Sequence, residues 1–335
     1  MISDYLKELE HCELCEHRCG VNRLAGETGV CRMTTPVVAS ATLHPAPPES
    51  YTVFMAGCNL KCLNCQNWSI SQYPDNGYPQ RGYVSPKLLA EESVDILKSV
   101  SAGLIRADRI FFSGGEPTIY LPYIERVVKE AKEINPDVKV NFDTNGYLTE
   151  SSLKRVVEFT TSITFDIKAY DEKIHLALTG ASSEPVLRNA RYIAEHAKDK
   201  LWEYRIVVIP EINIEDIKSL TGFIAGMNPE LPVCFLSFRP NFVLENHPGA
   251  SVELMEKCIE TAKKSGLVNV SRAGQSGIPG SIPPSLKGLD DGAKLAGAYA
   301  ANAGCRNDPR NCTTCRFING CGIKRYMPGG FPGRL

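Results

Sequence analysis

The sequence predicts an α/β protein, a partial TIM-like (β/α)6 barrel with a cysteine-rich module at either end. Three observations carry this. Between residues 51 and 270, short apolar runs alternate with helix-length amphipathic segments; that order implies parallel strands joined by right-handed crossovers. Polar, glycine-containing motifs recur just after the strand ends, the side on which a parallel barrel builds its active site. The repeats number fewer than the eight that close a full barrel. The expected organisation is a four-cysteine module and connector over 1–50, the core barrel over 51–270, and a Gly/Pro-rich linker with a second four-cysteine module over 271–335.

In order, residues 1–10 read as a short amphipathic helix with Leu6 and Leu9 on one side. Prolines at 36, 45, 47 and 48 mark an extended connector, with a short strand at Val37-Val38-Ala39. Tyr51 to Ala56 is an apolar run of strand length. Ser85-Pro86 starts a helix, serine as cap and proline in the first turn, with Leu88, Leu89, Val94, Ile96 and Leu97 inward. Strand Arg109–Phe112 precedes a helix through Ile124, Val127, Val128 and Ala131. Strand Val138–Phe142 precedes a helix carrying Leu153, Val156 and Val157, and strand Ser162–Asp166 follows. Helices over 184–197, 214–226 and 252–265 then alternate with strands at 201–209, 233–238 and 267–270. Residues 271–304 are rich in Gly, Ser, Pro and Ala and read as a linker or lid with little core.

The chain has 335 residues, a hydrophobic fraction of 43% and a net charge of −1. That is ordinary for a globular protein, and no basic field calls for nucleic acid. No apolar run approaches membrane-span length, and Met1 to Lys7 does not read as a signal peptide. A cytoplasmic, reducing setting is expected, in which clustered cysteines are metal ligands and not disulfides. Of the 13 cysteines, only Cys234 and Cys258 stand outside the three clusters, and they read as buried apolar side chains.

The first cluster, Cys12, Cys15, Cys19 and Cys31, is a complete set of four soft ligands. So is the last, Cys305, Cys312, Cys315 and Cys321. Zinc and iron–sulfur both accept four thiolates, so ligand count leaves the metal open at each. The middle cluster differs. Gly57-Cys58-Asn59-Leu60-Lys61-Cys62-Leu63-Asn64-Cys65 offers three cysteines, no histidine and no fourth thiolate. It fits zinc poorly, because closed zinc sites come as paired Cys-x2-4-Cys arms. It suits a cubane whose fourth iron stays open for chemistry.

That loop, with an apolar strand before it, resembles the cluster loop of the radical S-adenosylmethionine (SAM) enzymes. The resemblance implies a [4Fe–4S] cluster on Cys58, Cys62 and Cys65 that binds SAM, cleaves it reductively and generates a 5′-deoxyadenosyl radical. Gly114-Gly115-Glu116-Pro117, after a strand end, is similar to the family's SAM methionine-binding motif. Its two glycines would let backbone approach a ligand, and the Glu116 carboxylate or adjacent carbonyls would accept from the SAM ammonium. Asp143-Thr144-Asn145-Gly146, Asp166-Ile167-Lys168 and the run from Ala169 through His175 to Asn189 resemble the activating enzymes of glycyl-radical enzymes, such as pyruvate formate-lyase activase. By that resemblance Asp143, Asn145, Asp166, Lys168, His175 and Arg205 lie near SAM. It further implies a reducing flavodoxin or ferredoxin as electron donor and a protein or peptide as substrate, with no nucleic acid and no membrane. Taken alone, Asp166 and Lys168 would be a surface ion pair and His175 a helix-surface residue. Trp68 and Tyr73 would either cover the cluster or merely pack a loop.

The likeness spans roughly residues 10–245. One cysteine set precedes the cluster loop, whereas the extra cysteines of multi-cluster activases follow it, and the tail from 271 has no counterpart in them. Two alternatives follow: a peptide-modifying or small-molecule enzyme using a C-terminal auxiliary cluster, or a multi-cluster electron-transfer protein with no chemistry of its own.

Overall fold

The structure is a computed structural model that describes residues 4–73 and 79–303. The expected C-terminal set, Cys305, Cys312, Cys315 and Cys321, lies outside the described residues. These divide into two compact units: 4–59, 69–73, 79–165 and 197–202 form the first, and 60–68, 166–196 and 203–303 the second.

The first unit opens with a 3-10 helix, Asp4–His11, that buries Leu6 and Leu9 as their spacing predicts. Strand β1 (Val38–His44) pairs antiparallel with β2 (Ser50–Met55). It is longer than the three-residue strand expected among the prolines. Parallel pairing then runs from β2 to β3 (Arg109–Gly114), β4 (Lys139–Thr144) and β5 (Ser162–Asp166).

A four-residue turn, α1 (Trp68–Ser71), follows the cysteine loop. The helix α2 (Pro86–Leu97) is capped as expected, the Ser85 side chain accepting from Leu88 N. Leu89 and Val94 are buried, but Leu88 is 52% exposed, because the helix turns only one stripe inward. The helix α3 (Val100–Ile105) follows, then α4 (Leu121–Ile134) and α5 (Glu150–Phe159). Ile124, Val127, Val128 and Ala131 of α4 and Leu153 and Val156 of α5 are buried. In the strands, Ile110, Phe112, Val140, Phe142, Ile163 and Phe165 are fully buried, as expected of strands covered on both faces.

In the second unit β6 (Leu201–Val208), from Glu203 on, pairs parallel with β7 (Val233–Ser237), and β7 with β8 (Val270–Ala273). The helices are α6 (Glu172–Thr179), α7 (Glu184–His196), α8 (Ile214–Met227) and α9 (Val252–Lys264). Cys234 and Cys258 are buried, on β7 and α9.

Two expectations fail here. The last strand begins at Val270, later than the apolar Leu267-Val268 suggested. The supposed linker contains β8 and an eleven-residue helix, α10 (Gly292–Asn302). Leu295, Ala296, Tyr299 and Ala300 of α10 join Phe238, Phe242 and Leu244 in one buried cluster. The Tyr299 hydroxyl also meets His247 Nδ1 at 3.0 Å. Small residues made the segment look coreless, but they let α10 pack closely. The fold class is that expected: α/β, with parallel β/α repeats of the partial-barrel type flanked by an added antiparallel strand.

Candidate functional site

In the first unit the site begins where β2 ends. Met55 stands opposite Gly114 in the β2–β3 register, so the cysteine loop and the Gly114-Gly115-Glu116-Pro117 turn leave neighbouring strand ends. Three main-chain bonds stitch them. Gly115 N donates to Met55 O at 2.8 Å, Glu116 N to Gly57 O at 3.0 Å, and Gly57 N to Ile70 O at 2.8 Å.

This close approach explains the glycines. Gly114 has φ +120°, and a Cβ there would lie 2.3 Å from Met55 backbone; at Gly115 it would lie 1.9 Å from Gly57 O. The two glycines let the backbone of the turn lie directly against the loop that carries Cys58.

Glu116 is also turned inward. It is 1% exposed. Its Oε1 accepts from Thr118 N at 3.1 Å, Thr118 Oγ1 at 2.5 Å and Thr144 Oγ1 at 2.9 Å, and its Oε2 from Asn145 N at 2.8 Å. Burial raises its pKa to about 7 against these donors. The carboxylate therefore staples the turn to the end of β4. Pro117, buried, begins the 3-10 helix that Glu116 caps.

Asn145 reaches Cys58. Its Nδ2 lies 3.7 Å from Cys58 Sγ and 2.8 Å from Asn59 Oδ1, while its Oδ1 accepts from Tyr147 N at 3.0 Å. Asn59, fully buried, donates to Tyr147 O at 3.0 Å and accepts from His17 Nε2 through its carbonyl at 2.8 Å. Asp143 accepts from Ser113 Oγ at 2.7 Å.

In the second unit Lys61 N donates to Thr179 O at 2.8 Å and Leu63 N to Leu178 O at 2.9 Å. This holds the rest of the cysteine loop on the last turn of α6. Burial pushes the Cys62 thiol up to about 12, with Lys168 pulling the other way. Cys65 packs against the cluster that includes Leu63 and Phe242, and Trp68 stacks on Phe242 at 5.7 Å. Lys168 Nζ pairs with Asp166 Oδ2 at 2.6 Å, both side chains less than a quarter exposed. Arg205 Nε pairs with Glu203 Oε1 at 2.6 Å.

His175 is fully buried, not on a helix surface. Its Nδ1 lies 2.7 Å from Ala181 O, and its Nε2 has no partner among the described residues. Burial lowers its pKa to about 4, so near neutral pH the ring is uncharged, with Nδ1–H donating to the carbonyl and Nε2 left as an acceptor.

The N-terminal set lies wholly in the first unit. Cys12, Cys15, Cys19 and Cys31 line one pocket with Arg23 and Ile119. Burial first, then the neighbouring thiols of Cys31, Cys19 and Cys12, push the Cys15 thiol well above its ordinary value. Among the described residues, no three Cys, His, Asp or Glu side chains are placed to hold one metal ion.

Sequence reasoning missed Arg23, the His17–Asn59 bond and the inward turn of Glu116. Nothing in the string singles out Arg23, whose acceptors include Ile119 O, 96 residues away.

The description of the Radical SAM superfamily matches residues 52–224. The chain belongs to the radical SAM superfamily. Membership implies a [4Fe–4S] cluster and SAM, which makes the chain an enzyme of SAM-dependent radical chemistry. The site fits that cofactor in its donor set: three thiols on one eight-residue stretch, with an amide N–H directed at Cys58 sulfur.

Among relatives of this radical SAM protein, an uncharacterised protein of Methanocaldococcus jannaschii is 27% identical over 305 residues, covering 88% of this chain and 85% of the relative. The pyruvate formate-lyase-activating enzyme of Staphylococcus epidermidis is 28% identical over 193 residues, 54% of this chain and 71% of that enzyme. Of solved structures, a domain of pyruvate-formate lyase-activating enzyme from Bacteroides vulgatus matches with TM-score 0.42 at 22% identity, over 50% of this chain and 100% of that one. Streptococcus suis SuiB bound to precursor peptide SuiA matches with TM-score 0.46 at 17% identity, over 65% and 46%. No helix among the described residues is long and apolar enough to cross a membrane.

Proposed function

We propose that this chain is an activase-like radical SAM enzyme that abstracts a hydrogen atom from a protein or peptide, with Cys58, Cys62 and Cys65 as cluster ligands. Cys58, Cys62 and Cys65 would hold a [4Fe–4S] cluster, which would supply the reducing chemistry that turns bound SAM into the agent of hydrogen abstraction. The chain's own residues do the positioning. The stitched strand ends of β2 and β3 fix where Cys58 stands. Asn145 orients it and donates toward its sulfur, and such hydrogen bonds tune cluster potentials. Lys61 and Leu63 fix the other two cysteines on α6. Gly115 and Glu116, spent on the loop, leave the carbonyls of the turn as the acceptors for the SAM ammonium. Lys168, Asp166 and Arg205 are polar groups for SAM's carboxylate and ribose.

The observation that carries the reading is the main-chain joining of the three-cysteine loop to the Gly-Gly-Glu-Pro turn. The macromolecular substrate is supported by the relative named for activating pyruvate formate-lyase. A reducing flavodoxin or ferredoxin is the matching donor class.

The test is deuterium transfer. Reduced enzyme with SAM and a deuterated candidate protein should yield deuterated 5′-deoxyadenosine. Unlabelled 5′-deoxyadenosine with every protein or peptide offered, and label only from a small molecule, would overturn the macromolecular substrate. No 5′-deoxyadenosine at all would leave the electron-transfer alternative.

A further inference from the structure

The N-terminal cysteines share a pocket with a buried charge that has no counter-charge among the described residues. Arg23 is 1% exposed. Its Nε donates to Met33 O at 3.0 Å and Thr34 O at 3.1 Å, and its Nη1 to Ile119 O at 2.5 Å and toward Cys12 Sγ at 3.6 Å. The Tyr120 ring lies 5.3 Å from its guanidinium carbon. Its Nη2 is buried with no acceptor among the described residues. These partners are carbonyls, a thiol and a ring; none is a carboxylate. A guanidinium does not give up its proton, and a buried charge without a counter-charge is costly. The guanidinium lines the pocket that Cys12, Cys15, Cys19 and Cys31 also line. The fold has therefore placed a permanent cation where an anion belongs.

Two centres suit four thiolates, a zinc ion and an iron–sulfur cluster; with its four thiolates each is anionic, and they differ in the acceptors they add. Zinc, with Zn–S bonds of about 2.3 Å, draws four sulfurs around one point. The four thiols line one pocket together with Arg23. A cubane gives each thiolate its own iron and adds inorganic sulfides, which accept hydrogen bonds. It would therefore offer Arg23 Nη2 the acceptor it lacks. Gly29 packs directly on this set, since a Cβ there would lie 2.6 Å from Cys19 Sγ.

We propose that Cys12, Cys15, Cys19 and Cys31 hold a second iron–sulfur cluster, of the [4Fe–4S] class, with Arg23 as its buried counter-cation. The proposal is independent of the reading of Cys58, Cys62 and Cys65, and its test does not use activity. In the full-length chain, Cys58, Cys62, Cys65, Cys305, Cys312, Cys315 and Cys321 are replaced by Ser, leaving only the N-terminal cluster of cysteines. The protein is reconstituted anaerobically with iron, sulfide and an equal amount of zinc. It should retain about four irons per chain and, after reduction, give the electron paramagnetic resonance signal of a reduced cluster. Zinc without iron, or no metal, overturns the proposal.

Should the seven-fold variant be insoluble, Cys15→Ser with Cys31→Ser in the otherwise native chain should lose about four irons relative to the native protein; unchanged iron overturns it. Arg23→Met should lower the midpoint potential of this cluster, because removing a nearby positive charge disfavours the more negative reduced form, and Arg23→Lys should restore much of the difference. An unchanged potential in Arg23→Met would remove the counter-cation from the proposal.

Discussion

Asn145 donates from its side-chain amide toward the sulfur of Cys58 at 3.7 Å while its backbone N–H donates to Glu116 at 2.8 Å. One residue at the end of β4 thus holds the first cluster ligand and the Gly-Gly-Glu-Pro turn together. An N–H directed at a cluster sulfur favours the reduced, more negative state. Asn145→Ala should therefore lower the potential of the SAM-binding cluster, read by a redox titration. Hydrogen bonds to charged groups contribute about 1.5–3 kcal/mol. If the whole of one were lost from the barrier, SAM cleavage would slow by about ten-fold or more. An unchanged potential would show that the contact does not persist in the loaded enzyme.

Gly115→Ala tests the stitching. The added Cβ would meet Gly57 O at 1.9 Å and displace the bond from Glu116 N. The expected outcome is loss of cluster assembly, about four irons per chain, and not merely weaker SAM binding. Full iron content with weakened SAM affinity would return Gly115 to a purely ligand-facing role.

Glu116 and His175 give opposite pH effects. Burial raises Glu116 from 4.5 to about 7, so its contribution to stability is fully present below pH 4.5 and is lost as pH rises through about 7. Burial lowers His175 from 6.5 to about 4, so its contribution is present above pH 6.5 and is lost as pH falls through about 4. Chemical denaturation across pH 4–8 should show the two slopes. Glu116→Gln should flatten the rise-side loss, and His175→Gln the acid-side loss. Glu116→Gln should also cost about 1–3 kcal/mol, because its amide sets a donor against a donor, either Asn145 N or the Thr118 and Thr144 groups. Identical pH profiles for wild type and variants would contradict both burial assignments.

Much of the fold was legible because strands β3, β4, β5 and β7 are compact apolar runs and α4 and α5 keep strict helical spacing. The sequence failed where composition misled. Gly292 to Asn302 is rich in glycine and alanine and read as linker, although alanine is the best helix former; its burial comes from Tyr299 and Leu295 packing within the second unit. Cys58, Gly115, Glu116 and Asn145 were all found as a set, but what each touches was not legible. Those contacts follow from the register that puts Met55 beside Gly114 and from the turn after β4. Arg23 was invisible because its carbonyl partners, at Met33, Thr34 and the distant Ile119, follow from the folded path of the chain.

The central claim is that Cys58, Cys62 and Cys65 hold the cluster that cleaves SAM. Its most direct test is to incubate the anaerobically reconstituted, chemically reduced chain with SAM and measure 5′-deoxyadenosine, beside the variant with all three cysteines replaced by Ala. The native chain should form 5′-deoxyadenosine and the triple variant none, with about four irons fewer per chain. Formation at the native rate by the triple variant would contradict it.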